Sequence, residues 1–188
     1  MKDLLRRLVP KAGYIPLFFL LAVLSAPVAS AATIPQKTTS AKVEAHLEIP
    51  KIKVKAVIKD MGVTAQGVMA IPGNRVDVGW WGKGTVPGQV GSAVFGGHNE
   101  WGNGAGVFAD LHLLKTGDTM SVVDKNGHST SFVVREIRTY NATDIDNGIF
   151  LSASGIHLNL ITCSGTWDPK TKSYTKRLVV FTDVVQKT

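Results

Sequence analysis

The stretch Ile156–Ser164 reads I-H-L-N-L-I-T-C-S, and its alternation decides how the rest of the chain is read. Ile156, Leu158 and Leu160 alternate with His157, Asn159 and Ile161, the period of a β-strand with one buried face. The pattern ends at Thr162-Cys163-Ser164-Gly165, where loop composition takes over, so Cys163 is expected at the C-terminal mouth of the strand. It is the only cysteine among 188 residues. A thiol in that setting has a rigid backbone behind it and an open loop in front, which suits a nucleophile. The competing reading is a small buried hydrophobe, the common position of a free cysteine. A single cysteine excludes an internal disulfide and any cysteine-rich zinc site.

Outward from this strand the chain reads as β throughout. Leu47–Lys59 alternates Ile52, Val54 and Ala56 with Lys51, Lys53 and Lys55. Gly91–Gly97 (G-S-A-V-F-G-G) is a continuous apolar run, as a strand covered on both faces requires. Asp118–Asp124 and Ser129–Tyr140 flank Asn126-Gly127, a strong hairpin signal. Leu178–Val185 closes the chain as a further strand, and only Val107–Leu114 and Ile145–Ala153 read as briefly helical. Six to eight short strands over residues 46–188 predict one all-β domain, a barrel or a sandwich.

The N-terminal residues read differently. Lys2, Arg6, Arg7 and Lys11 form a basic flank, and no charged residue occurs from Ala12 to Gln36. Residues 1–32 are expected to be a secretory signal, cleaved at Ala29-Ser30-Ala31, or an uncleaved signal-anchor just long enough to cross a bilayer. Either way the basic flank stays in the cytoplasm, and the rest of the chain reaches the extracellular face of the cell membrane, or is secreted after cleavage. Residues 33–45 are polar and without period, a linker. Of the formal net charge of +7, the first 45 residues carry six cations against two anions. The remainder has a mixed surface with little excess charge, which argues against nucleic acid as a partner.

Two further residues join Cys163. Phe95-Gly96-Gly97-His98 ends an apolar strand with two glycines and then a histidine, which the turn throws out at the rim of the sheet. Of five histidines, His98 has the setting of an acid–base residue, whereas His46, His112, His128 and His157 fall on a linker end, a short helix, a turn and an outer strand face. Arg177 lies 14 residues after Cys163, where a hairpin would bring the two side by side. Glu100 either orients the His98 imidazole or is a solvated loop carboxylate.

Gly97-His98, Asn159-Leu160-Ile161-Thr162-Cys163 and Tyr174-Thr-Lys-Arg177-Leu-Val-Val-Phe, in this order and spacing, resemble the sortases, cysteine transpeptidases of the bacterial cell surface. The second motif departs from the family pattern T-L-x-T-C by carrying Asn159 for the first threonine. The resemblance spans about Leu47–Val185, and Gly79-Trp80-Trp81 and Val107-Phe108 look most like classes E and F. It implies a closed or nearly closed eight-stranded β-barrel with one or two short helices. It also implies Cys163, His98 and Arg177 as catalytic residues, Thr162 and Ser164 at the substrate, and no cofactor or metal. Lys172 is the alternative cation, because class F relatives can take the arginine from earlier in that loop. Lysine lacks the planar fork that could grip an oxyanion and a peptide carbonyl together.

The implied substrates are surface proteins with a C-terminal sorting motif, L-P-x-T-G cut between Thr and Gly, and a cell-wall precursor amine. The thiolate attacks, and a free thiol with a pKa of about 8.5 needs a base to supply it. Asn141–Gly155 is the expected wall of a peptide groove. The competing classes are a secreted cysteine peptidase or L,D-transpeptidase, and a non-catalytic β-sandwich binding module with an inert cysteine.

Overall fold

The computed structural model describes residues 45–65, 68–144 and 147–186. The basic flank, the charge-free run and the expected linker up to residue 44 lie outside the described residues. Among those described, no helix is long and apolar enough to cross a membrane.

Among the described residues, ten strands and one short α-helix follow in chain order: β1 Ala45–Ile49, β2 Val54–Met61, β3 Val78–Trp81, β4 Gly91–Gly96, β5 Glu100–Trp101, β6 Gly104–Ala105, β7 Thr119–Asp124, β8 Ser129–Asn141, α1 Asn147–Phe150, β9 Ile156–Asp168 and β10 Ser173–Val184. Eight of the strands close on themselves in the order β1-β2-β3-β4-β9-β10-β8-β7, and β7 pairs back to β1. The expected eight-stranded barrel is present, and closure leaves it no open sheet edge. The short β5–β6 pair stands apart as its own hairpin. Both helical expectations hold as single turns, a 3-10 turn at Leu111–Leu113 and α1.

The alternation seen in the sequence sorts residues onto the two faces of the wall. Leu158, Leu160, Leu178, Val180, Ala93 and Phe95 point into the barrel, where they pack with Phe108, Phe132 and Trp80. Val94, Val179 and Phe181 point outward into a smaller core that Ile149 of α1 covers. Asn159 lies on this outer face, and its buried amide donates to the Ile149 carbonyl at 2.6 Å, which fastens α1 to the sheet. The residue that departs from the family pattern therefore has a structural task.

Two expectations are corrected. The strand carrying Cys163 does not end there; β9 runs on to Asp168, and Cys163 lies well inside it. The extension survives because β10 begins at Ser173, five residues earlier than the Leu178 start expected, and pairs with it. Gly165 holds φ at +80°, where a side chain is strained, and the register shifts opposite it between Tyr174 and Lys176. That bulge is what gave Gly165-Thr166-Trp167-Asp168 the look of a loop. His46, expected at a linker end, belongs to β1 and bonds Glu48 at 3.0 Å.

Candidate active site

Three neighbouring strands build the site. β4 runs parallel to β9 with Gly96 opposite Ile161. Two residues further along that register, His98 reaches the level of Cys163. On the other side β10 is antiparallel to β9, with Arg177 directly opposite Cys163. Adjacent strands lie about 4.8 Å apart, so His98, Cys163 and Arg177 form a row across the sheet. The parity that sends Val94, Ile161 and Val179 outward sends these three outward as well.

The backbone around His98 is held from two directions. The buried Thr162 hydroxyl donates to the Gly97 carbonyl at 2.8 Å, and the Gly97 N–H donates to the Ile161 carbonyl at 3.2 Å. The Phe108 N–H donates to the His98 carbonyl at 2.9 Å. Glycine is required here: a β-carbon on Gly97 would stand 2.6 Å from the Phe108 ring, and one on Gly106 would strike the His98 backbone. Thr162, expected at the substrate, therefore points inward and ties β9 to the end of β4.

The His98 side chain is half-buried, and its Nε2 lies 2.9 Å from the Pro72 carbonyl. A carbonyl only accepts, so Nε2 carries the proton and the neutral ring keeps its lone pair at Nδ1. Trp101 lies against the imidazole, with ring centroids 4.5 Å apart.

Arg177 is fixed by its own strand. Its Nη1 donates to the carbonyls of Tyr174 (2.9 Å) and Lys176 (2.8 Å), and Nη2 donates to Ser173 Oγ at 3.1 Å. Arginine has five N–H donors, and these bonds leave two of them free. Lys172 sits in the hairpin turn with φ at +50°. It is five residues from Arg177, roughly 16 Å along an extended strand at about 3.3 Å per residue.

Cys163 is half-buried and borders a cleft of about 660 Å³ at the mouth of the barrel. Its neighbour Ser164 lines the same cleft with a buried Oγ that has no hydrogen-bond partner. The β5–β6 hairpin forms the opposite wall. Across it, the Tyr174 phenol is pushed up to about 12, first by its hydrogen bond to Glu100, then by partial burial and by the charges of Glu100 and Cys163. The Tyr174 ring also meets Trp167 edge-on at 5.5 Å. The structure thus joins Glu100 to Tyr174. Sequence reading gave Tyr174 and Trp101 no part in the site; their only signal was an aromatic three residues from Arg177 and from His98.

Comparison with known proteins is consistent with this geometry. The Sortase domain family matches residues 47–185. Among solved structures the chain is similar to sortase C1 from Streptococcus agalactiae, at 22% identity over 79% of this chain and 70% of that one, with a TM-score of 0.59. It is similar to a lid mutant of sortase A from Corynebacterium diphtheriae, at 20% identity over 78% and 72%, with a TM-score of 0.60. It is also similar to sortase C-1 from Actinomyces oris, at 22% identity over 78% and 76%, with a TM-score of 0.59. No curated protein sequence matches.

Proposed function

The chain belongs to the sortase family, and we propose that it cleaves an L-P-x-T-G-like sorting motif between Thr and Gly and passes the acyl group to a cell-wall amine. The observation that carries this reading is the row of His98, Cys163 and Arg177 on adjacent strands. A thiol flanked at one strand spacing by an imidazole on one side and a guanidinium on the other suits a nucleophile, a base and an oxyanion donor.

In this reading His98 Nδ1 takes the Cys163 proton, and the thiolate attacks the threonine carbonyl. The free N–H groups of Arg177 receive the developing oxyanion, and their supporting bonds are already made, so little reorganisation is needed at the transition state. The C–N bond breaks, His98 protonates the departing glycine amine, and the acyl group remains on Cys163 as a thioester. The amine of the second substrate then attacks, forming a new peptide bond and releasing the thiol. The outer sheet face beside Ile161 and α1 is the proposed peptide groove; Ser164, whose buried Oγ lines the mouth cleft on the inward parity of Thr162, does not face it.

Gly79-Trp80-Trp81 and Val107-Phe108 support a position near classes E and F. Residues 1–32 are the proposed anchor or cleaved signal that delivers the barrel to the outer face of the membrane. Both alternatives from the sequence are less well supported, because the Sortase domain family matches residues 47–185 and the wall is a closed barrel, not a sandwich.

The test is to mix the full chain with an L-P-A-T-G peptide and oligoglycine, beside Cys163→Ala. Intact mass should reveal a thioester adduct that oligoglycine converts to transfer product and that Cys163→Ala lacks. An adduct-free wild type across a panel of sorting peptides, with a thiol inert to alkylation, would remove the proposal.

A further inference from the structure

We infer that the cleft at the barrel mouth is the docking site of the amine acceptor, with Glu100 anchoring its ammonium group and His112 taking its proton. The inference rests on the transpeptidase reading above and adds where the second substrate binds and which side chains receive it.

Cys163 stands at the junction of two surfaces. Its side chain shares the outward parity of Ile161, where the first peptide is proposed to lie, yet it also borders the mouth cleft with inward-facing Thr162 and Leu178. A peptide on the outer face therefore leaves the cleft open to the same carbonyl carbon from the other side. The cleft's volume of about 660 Å³ is in the range that holds a small ligand or a short unbranched chain.

Its lining selects for a cation. Glu100 is the only acidic side chain among the lining residues, and no lysine or arginine joins it. The carboxylate stands in a cleft bordered by Cys163, in a chain with 21 basic and 14 acidic residues. Glu100 is exposed and reaches across from the β5–β6 hairpin to the Tyr174 hydroxyl, which orients it on the side of Cys163. Gly102, Gly104 and Ala105 keep that wall free of bulky side chains. That leaves the Glu100 carboxylate open to a slim primary ammonium.

An ammonium cannot attack until it loses a proton, and His112 is the one imidazole among the cleft's lining residues. Its Nδ1 lies 3.0 Å from the Ala109 carbonyl, which only accepts, so Nδ1 is protonated and the neutral ring keeps its lone pair on Nε2. One proton passes from R–NH3+ to Nε2. The resulting amine nitrogen bonds to the thioester carbonyl carbon and gives up its second proton to His98 as the C–S bond breaks. Cys163 leaves as thiolate and recovers that proton. The carbonyl becomes an amide, and His112 releases its proton to water.

The readout is the ratio of transfer to hydrolysis product, since both consume one thioester pool. With the full chain, the L-P-A-T-G peptide and triglycine, Glu100→Gln should raise the triglycine concentration for half-maximal transfer about tenfold. Hydroxylamine, uncharged at neutral pH, should show no such rise. His112→Gln should lower the maximal transfer ratio without moving the half-maximal concentration. If Glu100→Gln leaves the triglycine dependence unchanged, or shifts hydroxylamine equally, the acceptor site is overturned while the thioester chemistry stands. An unchanged maximum in His112→Gln overturns the histidine's part. Failure of the wild type to form any thioester would overturn both the transpeptidase reading and the site built on it.

Discussion

Arg177 and Cys163 are paired residues on neighbouring antiparallel strands, and the guanidinium is braced by two carbonyls and a hydroxyl of its own strand. The guanidinium is held by the protein's own groups, on the strand position facing Cys163. Loss of such a preorganised donor typically costs about 100- to 1,000-fold in rate. Arg177→Ala should therefore slow thioester formation by about that factor. Arg177→Lys should recover little, because an ammonium cannot make the braced fork. Quench-flow mass spectrometry of the acyl-enzyme measures both, and a lysine variant as fast as wild type would contradict the role.

Thr162→Val keeps the shape of the side chain and removes the hydroxyl that meets the Gly97 carbonyl. We expect a loss of about 1 kcal/mol in stability by urea denaturation. A rate loss beyond that of a control core variant of equal stability should accompany it, because the lost bond lies beside His98. Equal rates in the two variants would reduce Thr162 to ordinary packing.

Gly106→Ala should be worse than its one added methyl suggests. Its β-carbon meets the His98 carbonyl, which cannot rotate away as a flexible side chain would. About 1–3 kcal/mol of destabilisation is expected for such overpacking, read as a lower Tm. Folded Gly106→Ala should also lose thioester formation, since the shift falls on the base.

Tyr174 offers a pH test. Its phenol is pushed up to about 12 chiefly by the bond it donates to Glu100, against about 10 for free tyrosine. Because the folded value is the higher one, the interaction's stabilising effect is complete below about pH 10 and is lost as pH rises towards 12. The tyrosinate absorbance difference between wild type and Tyr174→Phe should show this late titration. In Glu100→Gln it should return towards the ordinary value; an unmoved titration would mean that burial alone is responsible.

Much of this was legible in the sequence, and the failures have a common cause. Asn126-Gly127 marked its hairpin because local turn chemistry sets it: Gly127 has φ at +83°, and Asp124 Oδ1 accepts from the Asn126 N–H. The adjacency of Cys163 and Arg177 followed from their spacing in one hairpin. His98 stood out because its strand ends in glycines. The length of β9 was hidden because a bulge at Gly165 mimics a loop, and only the partner strand resolves it. The Glu100–Tyr174 bond joins residues 74 positions apart, which no local pattern encodes, and the β5–β6 hairpin and the Trp101–His98 contact, though local, involve strands of only two residues with no alternation to read.

The parallel pairing of β4 with β9 has a kinetic meaning. Gly96 and Ile161 are neighbours in space but 65 residues apart in sequence, so their meeting closes a loop of that length. Contacts of such high sequence separation carry a loop-closure cost and slow folding. The base and the thiol come within reach of each other only through this pairing. A chain lacking this pairing is therefore expected to form no thioester, and recovery of activity on refolding should report the meeting of β4 and β9 more sharply than any measure of β content.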